Sequence, residues 1–262
     1  MLPEWYVVNP YVKTGYRQPT TPSRAFISAF EWHNETLNIY THFLPGLFWL
    51  YISFTCVKED YYVNANTLTK AVILYSYAGA SYMALASGIA HTFHIVDKRW
   101  SQVSWKLDFT GIILVNLSHQ ILDTYILFYT YPAILRIAIM TECIFALFCV
   151  KDIITTHTKS QWRIIYPLIS STVLTTPAFL VSYIGESTVL HKMALSSLRC
   201  STMVLIAGGV FLLGKFPERF WNPNGLFDNW NSHVWHHIFI VTSITCAFQS
   251  IPLLHLLSVP SA

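Results

Sequence analysis

Seven apolar stretches, each about as long as a bilayer is thick, constrain this chain more than any other feature. They fall near residues 39–57, 71–96, 107–128, 132–150, 164–184, 193–213 and 234–258. About 20 residues in a helix cross the hydrocarbon layer at 1.5 Å of rise per residue, and each stretch has roughly that length. Pro45, Pro132, Pro167 and Pro177 lie within or at the ends of these runs, which membrane helices tolerate. Only 11% of the 262 residues are charged, against about 25% in a soluble domain, so the chain lacks the polar surface that water demands. The expected fold is therefore all-α: a seven-transmembrane helix bundle over residues 39–258, preceded by an arm over residues 1–38. The net charge of +3 is too small to suggest nucleic acid as a partner. The cysteines, Cys56, Cys143, Cys149, Cys200 and Cys246, are odd in number, scattered, and form no C-x-x-C; they are read as packing.

The arm holds charges and prolines and lacks the leading apolar core of a secretory signal. Pro3, Pro10, Pro19 and Pro22 break its early part into extended segments and turns. From Pro22 onward, Phe26, Ile27, Phe30 and His33-Asn34 recur at helical spacing, with Ser23 a candidate N-cap. This predicts a short amphipathic helix lying in the membrane interface. The basic residues set the orientation. Lys13, Arg17, Arg24, Lys98, Arg99, Lys106, Lys151, Lys159, Arg163, Lys215 and Arg219 fall on the N-terminal side of the bundle, and only Lys58, Lys70 and Lys192 on the other. The positive-inside rule then puts the N-terminus in the cytosol and the C-terminus outside or in a lumen, the reverse of a G-protein-coupled receptor. The host membrane is the plasma membrane or an endomembrane.

With that topology, the cytosolic ends of three spans carry an unusual set of side chains. The last run opens with Ser232-His233-Val234-Trp235-His236-His237. His233 and His237 are four apart and share a helix face, as in helical zinc motifs; His236 could replace His237. His91 lies roughly 7–8 Å from the end of the second span and His237 roughly 4–6 Å into the seventh, so their depths match. Asp108 is expected in the first turn of the third span, and Ser87 one turn before His91. Ionisable groups inside spans are costly and mark function by default. Three neutral imidazoles with an open position are the pattern of a catalytic zinc, and zinc brings the pKa of bound water towards neutrality. Ser87 could bind that water or a substrate carbonyl, and Asp108 could orient the water or take its proton for attack on an acyl carbon. The competing reading is plainer. Ser87 bonds back to its own helix, Asp108 answers the dipole of the third span, and the histidines are interfacial. His94 and His119 read as packed polar residues. Asp123 and Glu142 read as structural, paired with Arg136 or Arg199.

Several ordered motifs resemble the progestin and adipoQ receptor family, which includes the adiponectin receptors. They are Thr14-Gly15-Tyr16-Arg17; His33-Asn34-Glu35-Thr36 with Asn38, Thr41 and His42; Ser87-x3-His91-Thr92; Lys106-Leu107-Asp108-x-x-Gly111; Pro217-Glu218-Arg219-Phe220; and Ser232-His233-x3-His237. The resemblance implies seven spans with a cytosolic N-terminus. It implies a zinc ion on His91, His233 and His237, with Asp108 and Ser87 beside it, and a ceramidase-like activity that splits a ceramide amide into sphingoid base and fatty acid. Other members are described as steroid-responsive receptors or regulators of lipid and zinc homeostasis. Two positions depart from the adiponectin receptors: Leu37 stands where they have glycine, and Val234 where they have glutamine.

The sequence thus supports a zinc-dependent lipid amide hydrolase coupled to signalling or lipid metabolism, with ceramide or a related acyl lipid as its membrane partner. The alternative is a seven-helix receptor with a purely structural zinc, for a lipid, steroid or protein ligand, an extracellular one included. In that case the N-terminal arm is the natural contact for a cytosolic signalling partner. A transporter is disfavoured, because no paired repeat and no charged path through several spans is evident.

Overall fold

A computed structural model describes residues 2–6, 9–155 and 188–257. Among these residues the secondary structure is helical. The helices are α1 (Pro22–Ser28), α2 (Thr36–Thr55), α3 (Asp60–Val63), α4 (Thr67–Phe93), α5 (Lys98–Phe128), α6 (Pro132–Thr155), α7 (Val189–Gly214), α8 (Ser232–Phe248) and α9 (Leu254–Leu257). The run expected at 164–184 lies outside the described residues, as do Lys159 and Arg163.

Five helical stretches among the described residues are long and apolar enough to cross a membrane: α4, α5, α6, α7 and Ser232–Leu257. The first expected run corresponds to α2, which is 20 residues long but opens with the polar Thr36, Asn38, Thr41 and His42. The expected span at 107 begins earlier, because α5 starts at Lys98 and Asp97 caps it by accepting from the Trp100 N–H at 2.8 Å. Apolarity marks where a helix enters lipid; the cap marks where its hydrogen bonding begins.

The outer helices present apolar faces outward as well as inward. On α6, Ile137, Met140, Ile144 and Leu147 are exposed at helical spacing, and on α7 so are Met203, Ile206, Val210 and Leu213. Such stripes suit hydrocarbon, not water. The buried faces mix large apolar side chains such as Ile73, Met83, Leu122 and Ile126 with many small and polar ones. On α4 these include Ser76, Gly79, Ala80, Ser81, Ala84, Ser87, Gly88, Ala90 and His91. Small residues let α4 sink between α2 and α5, since lipid tails supply no hydrophobic drive and close backbone approach has to do the work. α2 also touches α8, which packs along α7.

α1 begins at Pro22 with Thr21, not Ser23, as its cap. Phe26, Ile27, Phe30 and Trp32 all point outward around it, as an interfacial anchor requires. The rest of the arm clasps the loop between α7 and α8. Asp228 accepts from the Lys13 N–H at 2.9 Å, the Thr14 N–H at 2.8 Å and the Thr14 hydroxyl at 2.6 Å, and Glu218 accepts from the Asn9 side chain at 2.9 Å. Burial pushes the Asp228 carboxyl up, and these bonds outweigh it and hold the group below its ordinary value. Arg17 reaches across to the end of α4 and donates to the carbonyls of His91 at 2.6 Å and Thr92 at 3.3 Å. A cation over those unpaired carbonyls answers the negative end of the helix dipole.

Candidate metal centre

Each ligand candidate is placed by its own local structure. His91 comes to the centre because α4 is thin near its end: a Cβ on Gly88 would lie 3.0 Å from Phe43 Cβ. His233 is set by the start of α8. Asn231 caps that helix by accepting from the His233 N–H at 3.1 Å, and its amide donates to the Asp228 carbonyl at 3.0 Å. The Glu218 carboxylate takes the Ser232 N–H at 2.7 Å and the Ser232 hydroxyl. An anion at this N-terminus fixes the first turn, and His237 follows one turn later on the same face.

His91, His233 and His237 each offer one nitrogen, and these atoms all lie within 4.8 Å of one another. The Nε2 atoms of His91 and His233 are 3.2 Å apart. Two nitrogens bound to one tetrahedral zinc are about 3.3 Å apart, given Zn–N distances near 2.05 Å. The outer nitrogens are already engaged. His91 Nδ1 meets Glu35 Oε2 at 2.8 Å, and His237 Nδ1 meets the Asn38 carbonyl at 3.2 Å and the Thr41 hydroxyl at 3.3 Å. Carbonyl and carboxylate oxygens only accept, so Nδ1 carries the hydrogen in both rings and Nε2 is left with its lone pair for the shared layer. The donor set therefore fits a metal ion.

Asp108 and Ser87 sit beside this cluster. Asp108 is buried, and the Ser87 side chain bonds to its carboxylate. Asp108 lies three turns into α5, too deep for the helix dipole to account for it. Ser76 and Thr92 bond back to the carbonyls of Val72 and Gly88 on α4, whereas Ser87 faces Asp108. Of the two histidines left open by spacing, His237 joins the cluster. His236 turns to α7, where a Cβ on Gly208 would lie 3.4 Å from its Nδ1. His94 is buried against the rings of Trp105 and Tyr6, and His119 bonds back to the Val115 carbonyl at 3.0 Å. Glu142 accepts from Thr124 at 2.6 Å, while Arg136 turns back to the Pro132 carbonyl.

The residues around the cluster that spacing did not assign come from one stretch, the turn into α2. Glu35, Asn38 and Thr41 hold the two rings, and the His42 ring stacks on His237 at 3.6 Å and 9°. Glu35, Asn38 and His42 recur at i, i+3 and i+7, one polar stripe in an otherwise apolar run, and that was the available signal.

Fold and site together define a multi-pass helical membrane protein with a largely buried three-histidine centre near one end of its bundle. Sequence comparison supplies the family. The profile of the haemolysin-III-related family matches residues 30–248, and the chain belongs to that family. It is 22% identical over 283 residues to heptahelical transmembrane protein 3 of Arabidopsis thaliana, covering 92% of this chain and 81% of that protein. It is 23% identical over 261 residues to the ADIPOR-like receptor IZH2 of Saccharomyces cerevisiae, covering 95% and 81%. Membrane progestin receptor gamma of Mus musculus is 32% identical over 145 residues, which cover 54% of this chain and 42% of that receptor. The resemblance carried by the motifs is thus a matter of family membership.

Proposed function

We propose that this protein is a seven-span, zinc-dependent hydrolase of a lipid amide, ceramide or a close relative, with its N-terminus in the cytosol. The observation that carries the reading is the meeting of His91, His233 and His237 beside the Ser87–Asp108 pair. The three imidazoles would hold zinc, which supplies Lewis acidity and a nucleophilic water at neutral pH. Asp108 would take the proton of the attacking water and return it to the leaving amine nitrogen. Ser87 would orient the Asp108 carboxylate through its hydroxyl. The products are a fatty acid and a sphingoid base, so the atoms of one water are accounted for. A centre within the bilayer suits a two-chained substrate, which can arrive sideways from the leaflet.

The test is metal content and turnover on purified protein. Wild type is expected to hold about one zinc per chain and to release fatty acid from ceramide, His237→Ala to lose both, and Asp108→Asn to keep zinc while losing at least about 100-fold in turnover. Equal, slow release by wild type and His237→Ala would sink the enzymatic reading.

A receptor reading with structural zinc is favoured by one feature. The arm is bonded both to the α7–α8 loop and to the His91 carbonyl, so movement at the centre has a route to a cytosolic partner. It predicts that Asp108→Asn signals normally. An Asp108→Asn protein that folds, keeps zinc and cannot signal counts against it.

A further inference from the structure

We infer that Glu35 is the positioning residue of the histidine centre: its carboxylate fixes which nitrogen of His91 faces the shared layer and so sets the affinity for the cation held there. The inference rests on the metal-binding half of the proposed function and assigns a residue to which that reading gives no role.

Glu35 occupies the cap position of α2 yet makes no side-chain cap bond to its own helix. A polar side chain in that place ordinarily satisfies the helix's free N–H groups. Here Oε2 is turned instead to His91 Nδ1 at 2.8 Å, across 56 residues of sequence, and the Asn38 amide holds the same oxygen at 2.8 Å. The Glu35 side chain is 15% exposed and the His91 side chain 2%, so water competes little for the bond. The Glu35 backbone is fixed as well, its N–H donating to His33 Nδ1 at 3.0 Å. A carboxylate bonded to the outer nitrogen of a ligating histidine commits the ring to one tautomer, restrains its rotation and raises the basicity of the inner nitrogen. His237 receives the same service from neutral groups, the Asn38 carbonyl and Thr41. Glu35 is therefore the member of this stretch that brings negative charge to the centre.

The experiment uses the full chain, purified in detergent and stripped of metal, with zinc affinity read by competition against a chromogenic chelator. Losing a partner of this kind typically weakens metal binding about 10–100-fold. Glu35→Gln keeps an acceptor but loses the charge and is expected near the lower end; Glu35→Ala loses both and is expected near the upper. Glu35→Asp is expected to recover part of the loss, and Glu31→Gln, altered on the exposed surface, to bind as wild type does. Cobalt(II) in place of zinc should give a shifted visible spectrum in Glu35→Gln. The metal-free thermal midpoint of Glu35→Gln is expected to stay close to that of wild type. Wild-type zinc affinity and an unshifted cobalt spectrum in Glu35→Gln would overturn the inference, and so would a lowered metal-free midpoint with unchanged affinity. A wild type that binds neither zinc nor cobalt would sink the metal reading itself, which sets the two failures apart.

Discussion

His33 shows how one side chain can hold a turn on which the centre depends. Its Nε2 donates to the Ser28 carbonyl at 3.0 Å and its Nδ1 accepts from the Glu35 N–H at 3.0 Å, so the ring must be neutral with the hydrogen on Nε2. Burial, joined by the nearby Arg17 charge, pushes its pKa down to about 4. The unfolded value is about 6.5, so between the two the unfolded chain binds the extra proton. Stability from this group is complete above about pH 6.5 and is lost as pH falls towards 4. Hydrogen exchange on the metal-free protein should therefore show protection at the Glu35 and Thr36 amides declining across that window, and His33→Gln should flatten the decline. A wild-type profile that is flat across the same window would contradict the assignment. Residues of this kind are hard to read from a sequence. His91, His233 and His237 were legible because three imidazoles at matched depth have few other uses. Glu35 was not, because a single carboxylate ahead of a span looks the same whether it faces water or a ring 56 residues away.

Between helices, the decisive contact is one turn from the Ser87–Asp108 pair. A Cβ on Gly111 of α5 would lie 2.9 Å from the Met83 Cα of α4, a backbone atom that cannot swing aside. Gly111 is three residues after Asp108, and Met83 four before Ser87, so any separation of the helices passes to both. Gly111→Ala is expected to destabilise by about 1–3 kcal/mol, as overpacking does, and to reduce hydrolysis. On α7, a Cβ added to Gly209 would meet nothing within 4 Å, and Gly209→Ala should be neutral or stabilise by up to about 1 kcal/mol. Thermal unfolding of both in one detergent checks the contrast, and equal midpoints would remove the close-approach argument. Helix existence was legible from apolar length, since α4 to α8 lie where the runs lie. Helix limits were not. The lead-in of α5 from Lys98 is polar and invisible to hydropathy, and α2 is diluted by the residues that serve the centre.

For the molecule as a whole, the least legible feature is the clasp of the arm, because its partners are 209 and 215 residues apart in the chain. Charge counting, by contrast, makes a statement about the entire bundle, and the structure brings the relevant ends together. Arg17 sits on the end of α4, and the Lys106 ammonium donates to the Ile154 carbonyl at 2.6 Å, tying the first turns of α5 to the end of α6. At the opposite end the Thr69 and Tyr125 hydroxyls meet at 2.6 Å, joining the start of α4 to the end of α5. Among the described residues, Arg17, Lys98, Arg99, Lys106, Lys151, Lys215 and Arg219 therefore gather at the end that carries the histidines, and Lys58, Lys70 and Lys192 at the other. Cytosolic loops keep an excess of Lys and Arg, so the histidine centre should open towards the cytosolic leaflet. A glycosylation acceptor sequence fused to the C-terminus is expected to be modified in a eukaryotic secretory membrane, and the same sequence fused to the N-terminus to remain bare. The reverse pattern would place the centre in the opposite leaflet, and a soluble cytosolic partner could then no longer reach the arm.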